Sequence, residues 1–244
     1  MLLARSILFN ILFYTNLIAW MIALLPALAG PRAFMLRAVK AWVASSIWLL
    51  RVVAGIRIEF RGVEKIPPGG CIVASKHQSM LETFALVAML DDPVYVLKRE
   101  LMWLPFFGWY ALKMNAVPVR RKGGSAALAD LVARAEVAVS AGRQVIIFPE
   151  GTRRTPGAPP DYRFGIAQLY KQIGAPCLPV ALNTGVFWPR RKIVRHPGTV
   201  VFECLDPIAP GLPRGVFFAD LQDRIEAASD ALLREAGGQA QTTD

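Results

Sequence analysis

Residues 71–90 read CIVASKHQSMLETFALVAML, and this stretch decides the fold. Its first five residues, 71–75, are small or apolar, which predicts a strand buried on both faces. The segment from Ser79 to Leu90 has the apolar spacing of a helix. A buried strand that leads into a helix is the building unit of a sheet covered by helices.

The rest of the chain repeats this alternation on both sides of that stretch. Further strands are predicted at 56–60, 94–97, 116–119, 145–148, 178–182 and 199–205. Further helices are predicted at 104–114, 125–142 and 164–173, with a last one that ends at Gly237-Gly238. The pattern predicts an α/β domain over residues 55–238, with a mixed, largely parallel central sheet flanked by helices. Residues 1–54 precede this domain as hydrophobic helices, and residues 239–244 follow it as a frayed tail.

The composition combines strong positive charge with high hydrophobicity. The 244 residues include 28 Lys and Arg against 18 Asp and Glu, a net charge of +10, and 54% are hydrophobic, with a mean hydropathy of +0.38. A chain with this fraction of hydrophobic residues is not disordered. Cys71, Cys177 and Cys204 lie in separate apolar runs, which excludes a disulfide scaffold and indicates buried thiols in a reducing compartment. The positive charge favours nucleic acid or an anionic membrane surface as partner, and no nucleic-acid-binding motif is present.

The hydrophobic excess is concentrated at the N-terminus. No charged residue occurs between Ser6 and Pro31, so this run is long enough to span a bilayer. A second apolar block, 41–50, is shorter and is expected to lie at the interface. Two alternatives are a pair of buried core helices and a signal peptide cleaved after 27–29. The arginines and lysines that follow favour a retained anchor in the cytoplasmic membrane, with the rest of the chain facing the cytoplasm.

Two histidines are available for acid–base chemistry. His196 lies in a turn sequence, whereas His77 comes directly after the strand at 71–75, where α/β sheets place their sites. Glu82 follows five residues later, a spacing that is off the same face of a regular helix. The two side chains therefore meet only if His77 is in a loop and Glu82 is on the first helical turn. His77 is then a general base whose ring is oriented by Glu82, and the alternative is a helix-terminal ion pair.

Basic residues follow two other strands. The sequence FPEGTR at 148–153 comes after a buried strand, and an arginine fixed in such a loop can clamp a phosphate with two hydrogen bonds. Arg120, Arg121 and Lys122 form a second cluster, and Asn183 ends a third strand. The aromatic segment 103–110 has two interpretations, an acyl-binding or lipid-facing surface and the buried face of a helix.

The ordered set of KHQS at 76–79 with Glu82, VPVRR at 117–121, FPEGTR at 148–153 and LPV at 178–180 with Asn183 resembles the glycerolipid acyltransferase family. Within that family it is most similar to the 1-acylglycerol-3-phosphate acyltransferases. The sequence departs from the usual pattern at Glu82, where the family generally has Asp.

The resemblance implies transfer of an acyl group from acyl-CoA or acyl-carrier protein to the sn-2 hydroxyl of lysophosphatidate, a membrane lipid, without a metal or other cofactor. It implies that His77 is the base and Glu82 its orienting acid. Further residues are implied to bind the substrate phosphate: Arg121, Glu150, Gly151, Thr152 and Arg153. Three more are assigned either to phosphate binding or to a structural role: Lys76, Arg120 and Asn183. The alternatives are an acyltransferase for another lysolipid, such as lyso-ornithine lipid, and a basic membrane-binding protein without catalysis.

Overall fold

The structure is a computed structural model that describes residues 1–120 and 124–241, with side chains as far as residue 237. Its helices are α1 (Leu2–Ala23), α2 (Arg32–Leu49, extended by a π-helical turn Leu50–Ala54), α3 (Glu82–Met89), α4 (Phe107–Lys113), α5 (Gly124–Ser140), α6 (Gly165–Ile173), α7 (Thr184–Phe187) and α8 (Arg214–Gln241). Its strands are β1 (Ile56–Arg61), β2 (Cys71–Ser75), β3 (Pro93–Lys98), β4 (Val117–Val119), β5 (Gln144–Ile147), β6 (Cys177–Leu182) and β7 (Gly198–Cys204).

The seven strands form one mixed sheet in the order β1-β7-β6-β2-β5-β3-β4. The pairing is parallel except between β6 and β7, which confirms the predicted fold class. Strand β2 is central, and Val73 pairs with Leu178 on one side and with Ile146 on the other. Every residue of β2 and β6 is buried, as expected for strands covered on both faces.

The sheet separates two apolar cores. One core joins α1, α2 and α3 to the sheet and contains Phe9, Phe13, Phe84 and Trp188. The other core lies under α5, α6 and α8 and contains Tyr170, stacked on Phe217 at 3.7 Å between ring centroids. The carboxyl ends of the parallel strands therefore open between two covered faces, and this edge is where ligand sites form in such sheets.

The three cysteines lie on β2, β6 and β7, where all are free and buried. Burial raises the pKa of the Cys71 thiol to about 11, so the thiol stays protonated and unreactive at neutral pH. The strand positions explain why the sequence places each cysteine in an apolar run.

Two element boundaries differ from the sequence prediction for local reasons. Helix α3 begins at Glu82 rather than at Ser79, because the Glu82 carboxylate accepts the backbone N–H groups of Gln78 and Ser79. These bonds hold residues 76–81 in a loop. Helix α8 continues to Gln241, past the glycines at 237–238 and into the segment predicted to be a frayed tail, whose last residues, 242–244, lie outside the described residues.

The N-terminal segment contains two helices that are long and apolar enough to cross a membrane, Leu2–Ala23 and Arg32–Ala54. The second is longer than the apolar block at 41–50, because the helix begins nine residues before that block, and the interfacial position of the block stays a prediction. Only 17% and 22% of the two windows are buried, so neither is a core helix. Helix α1 nevertheless contacts the domain, since the rings of Phe9 and Phe13 meet the Trp188 ring edge-on at 5.3 Å.

Candidate active site

His77 and Glu82 meet at the carboxyl end of β2. His77 lies in the loop between β2 and α3, and Glu82 is the first residue of α3. Their side chains are joined by a contact of 2.9 Å between Nδ1 of His77 and Oε1 of Glu82. A carboxylate only accepts, so Nδ1 carries the hydrogen and Nε2 is left free to take a proton. The geometry is the one that the five-residue spacing required.

The Glu82 side chain is fully buried and saturated with donors. Oε1 also accepts from the backbone N–H groups of Gln78, at 2.7 Å, and of Ser79, at 2.6 Å. Oε2 accepts from the hydroxyl of Thr184, at 2.8 Å. A buried carboxylate is stable when its lone pairs are used in this way. The carboxylate is therefore held in one orientation, and it fixes the His77 ring in turn.

The His77 ring is also held on its face. It stacks on Phe148 with 4.1 Å between ring centroids and 18° between planes. Phe148 follows β5, the neighbour of β2, so two adjacent strands deliver the histidine and its support. The His77 side chain is 13% exposed and borders a cavity. A histidine that accepts a proton from a bound substrate needs such access.

Lys76 and Glu150 form a buried ion pair next to the histidine. Lys76 Nζ contacts Glu150 at 3.0 Å and Glu226 of α8 at 2.6 Å. The other Glu150 oxygen accepts the backbone N–H of His77 at 3.0 Å. Burial raises the pKa of Glu150, although Lys76 opposes the shift. Lys76 thus has two carboxylate partners within the fold, whereas Glu150 also lines the cavity beside Arg153, and its assignment to phosphate binding stays a prediction.

Asn183 is likewise structural. It is buried, its side-chain oxygen accepts the backbone N–H of Val201 at 2.9 Å, and its amide donates to the Leu232 carbonyl. These bonds fix the corner between β6 and α7. The side-chain oxygen and one of the two amide hydrogens are thus used within the fold, and Asn183 is not among the residues that line the cavity beside His77.

A cavity of about 1580 Å³ opens beside His77. Much of its wall is apolar and comes from α1, α2, β3 and α4, including Leu17, Trp20 and Met21 of α1. The segment 103–110 contributes Leu104, Pro105, Phe107 and Tyr110 to this wall, and Trp103 and Trp109 are exposed by 78% and 52%. The buried-aromatic interpretation of that segment is therefore wrong, and the groove or lipid-facing interpretation fits.

Among the residues that the structure describes, five basic side chains line the same cavity and are called here the cationic rim: Lys98, Arg120, Arg153, Arg163 and Arg190. Lys98, Arg120 and Arg153 come at or just after the carboxyl ends of β3, β4 and β5, so they share one edge of the sheet with His77. Desolvation together with the nearby charges of Arg191 and Arg153 lowers the pKa of Arg190. Cations crowded in this way favour an anionic ligand.

The remaining predicted phosphate residues have different positions. Gly151 and Thr152 line the cavity beside Arg153, and Gly151 has a φ of +64°, which turns the loop back toward the histidine. Arg121 and Lys122 lie outside the described residues.

Four residues of the site were not identified from the sequence: Phe148 as a ring support, Thr184, Glu226 and Arg190. Arg190 lines the cavity and donates to the Arg153 carbonyl at 2.9 Å. Thr184 directly follows Asn183 at the end of a predicted strand, so its position in the sequence could have identified it as a site residue. Glu226 offered none, because it lies 150 residues from its partner Lys76.

The comparisons with known proteins agree with this geometry. Residues 57–183, more than half of the chain, match the Acyltransferase family, and the chain belongs to that family. It is 37% identical, over 91% of its own length and 88% of the relative's, to a 1-acyl-sn-glycerol-3-phosphate acyltransferase of Pseudomonas aeruginosa. The human 1-acyl-sn-glycerol-3-phosphate acyltransferase alpha is 28% identical over 55% of this chain, which spans 48% of that protein.

A solved structure shows the same fold. The 1-acyl-sn-glycerophosphate acyltransferase PlsC from Thermotoga maritima superposes with a TM-score of 0.81 over 95% of this chain and 98% of that chain, at 21% identity. The match covers the N-terminal helices as well as the sheet. The chain is thus an acyltransferase with an apolar cavity, a cationic rim and a histidine–carboxylate pair at one edge of its sheet.

Proposed function

We propose that the chain transfers an acyl group from an acyl thioester to the sn-2 hydroxyl of 1-acylglycerol 3-phosphate and so makes phosphatidic acid for phospholipid synthesis. One observation carries the proposal, namely that the His77–Glu82 pair borders a cavity with an apolar wall and a cationic rim. Lysophosphatidate has an apolar part and an anionic part that match them, because a hydrocarbon chain and a phosphomonoester flank its free hydroxyl. The relatives named above carry the same activity in their names.

The reaction needs a proton acceptor at Nε2 of His77. The sn-2 hydroxyl gives its proton to Nε2 while its oxygen attacks the thioester carbonyl carbon. The carbon–sulfur bond then breaks, and the proton passes from Nε2 to the departing thiolate. Glu82 stabilises the transient imidazolium through Nδ1, as a carboxylate does for a catalytic histidine elsewhere. The three cysteines are buried, so none of them is available as a nucleophile, and the proposed transfer runs directly from donor to acceptor.

The charge of the cavity rim and the apolar surface of the N-terminal helices suggest which molecules the chain binds. The phosphomonoester is expected to bind the cationic rim, where the arginine forks can contact two oxygens at once. The thioester comes from acyl-CoA or acyl-carrier protein, both of them anionic, and no other cofactor is needed. The exposed apolar faces of α1 and α2 favour work on an anionic membrane surface, with the domain on the cytoplasmic side of the inner membrane.

The test is the His77→Ala variant in an assay with lysophosphatidate and both acyl donors. Loss of the general base should lower kcat by roughly 10²–10⁴-fold. The His196→Ala variant is the matched control, because the His196 imidazole is exposed and lies in the loop before β7. Unchanged cofractionation with membranes shows that the variant is folded and bound. Near-normal transfer by the purified His77→Ala protein contradicts the mechanism.

A further inference from the structure

The second oxygen of Glu82 has one partner, the Thr184 hydroxyl. The bond is 2.8 Å long, joins residues 102 positions apart, and is buried at both ends. The other three donors of the carboxylate, from His77, Gln78 and Ser79, all go to the first oxygen. Without the Thr184 hydroxyl, the second oxygen is left buried with no donor among the described residues, and only the bonds to the first oxygen orient the carboxylate.

Helix α7 is fixed tightly enough to act as a template for this bond. The N–H of Gly185 donates to Oε1 of Gln78 at 3.0 Å, and the Ser79 hydroxyl donates to the Trp188 carbonyl at 2.7 Å. A Cβ atom at Gly185 would lie 2.9 Å from the Cβ of Gln78, so the helix touches the loop directly. The loop that carries His77 is therefore shaped by α7.

We propose that Thr184 is a positioning residue, which holds the Glu82 carboxylate and through it the His77 imidazole in the orientation needed for proton transfer. The proposal rests on the proposed function, because it assigns Thr184 to the same acyl transfer. The proposal has a second part. The Glu82 side chain is long enough to reach both the His77 loop and the Thr184 hydroxyl, and an Asp at position 82 is too short to do so.

The length argument follows from the saturated geometry. An Asp side chain is shorter by one methylene, about 1.5 Å. In the structure, one oxygen of the Glu82 carboxylate accepts from the loop N–H groups and Nδ1 of His77, and the other accepts from the Thr184 hydroxyl. A carboxylate drawn back toward α3 keeps one of these two sets of bonds and loses the other.

The kinetic test compares Thr184→Val with Thr184→Ser. Val has the shape of Thr without the hydroxyl, and we expect kcat to fall about ten- to a hundredfold with little change in the KM of either substrate. Ser keeps the hydroxyl and should stay within about threefold of the original kcat. Ser229→Ala is the control, because the buried Ser229 hydroxyl has no hydrogen-bond partner among the described residues. It should leave kcat unchanged.

The matched pair is tested by a double-mutant cycle. Glu82→Asp should lower kcat by a factor similar to that of Thr184→Val, and the double variant should lose little more than either single one. Additive losses, or full activity of Glu82→Asp, would show that the two side chains do not act together.

A spectroscopic measurement separates positioning from activity. The chain has only two histidines, so the His77 ring nitrogens can be assigned by ¹⁵N NMR against the His196→Gln variant. We expect Nδ1–H to dominate in the original protein and in Thr184→Ser, and the two tautomers to mix in Thr184→Val. An unchanged tautomer together with an unchanged kcat in Thr184→Val overturns the proposal. Failure of the original protein to transfer acyl groups, with the tautomer shift still present, refutes the proposed function alone.

Discussion

At the scale of single residues, Arg153 differs from its basic neighbours in the loop after β5. Arg154 and Arg163 both contact Asp161, at 3.7 and 3.2 Å, and Arg190 donates to the Arg153 carbonyl. Within the described part of the chain, no hydrogen bond or ion pair occupies the Arg153 guanidinium. Arg153 is therefore the arginine of this loop whose fork is most available to a phosphate.

Arg153→Ala should weaken the phosphate-bearing acceptor by about 1.5–3 kcal/mol, the usual contribution of hydrogen bonds to a charged group. The measurement is kcat/KM for lysophosphatidate, with a lysolipid that lacks phosphate, such as lyso-ornithine lipid, as the comparison acceptor. Arg224→Ala is the control, because that guanidinium pairs with Asp220 on α8 and does not line the cavity. An equal loss on both acceptors would mean that Arg153 supports the loop and does not read the phosphate.

Single residues also show where the sequence is sufficient and where it is not. The His77–Glu82 contact was predictable because it is local and depends only on where α3 begins. The role of Glu150 was not, since its carboxylate looks identical in sequence whether it faces a ligand or Lys76. Glu226 and Thr184 approach the site from distant elements, and only the folded sheet shows which of many polar residues do so.

At the scale of elements, α2 is attached to the sheet by a cluster of charges far from the site. Asp92, just before β3, pairs with Arg32 at the start of α2 and with Arg143 before β5, at 3.4 Å. Burial acts to raise the pKa of Asp92, but the hydrogen bond to Arg32 and the charges of both arginines outweigh it, and the pKa is lowered. The ionised form is thus favoured in the folded protein.

Asp92→Asn should therefore destabilise the fold only where Asp92 is ionised. The folded-state pKa lies below the unfolded value of about 3.9, so the stabilisation is complete above that value and is lost as the pH falls through the folded pKa. We expect a loss of about 1 kcal/mol in the free energy of unfolding at pH 7, because the pair is partly exposed. The difference should shrink as the pH is lowered through the folded-state pKa. Asp130→Asn, which breaks an exposed pair on α5, should have almost no effect over the same range of pH.

The alternation of strands and helices was predictable because each element is short and strongly patterned. The strand order was not, since β7 inserts between β1 and β6 and reverses the direction of one pairing. Helix α2 was underestimated because Arg37 and Lys40 interrupt its apolar pattern. The structure accommodates Lys40 by a bond from its ammonium to the Leu90 carbonyl at 2.7 Å.

At the scale of the whole molecule, the excess hydrophobicity is on the outside of α1 and α2. Ile11 and Ile18 of α1 are 58% and 57% exposed, and Trp48 of α2 is 61% exposed. Contiguous apolar surface of this kind indicates a membrane or protein partner. The same helices supply part of the cavity wall.

The Ile11→Asp/Ile18→Asp double variant tests whether this face binds lipid. Each isoleucine contributes about 1.5–3 kcal/mol when fully buried in an apolar phase, so partition onto anionic vesicles should fall by at least tenfold. Transfer to a short-chain, water-soluble lysophosphatidate should be preserved, because neither side chain lines the cavity. Val137→Asp places the same charge on the 72% exposed Val137 of α5 and should leave vesicle binding unchanged. If the double variant binds vesicles as tightly as the original chain, the exposed face of α1 is not the lipid contact, and the basic surface must supply the attachment alone.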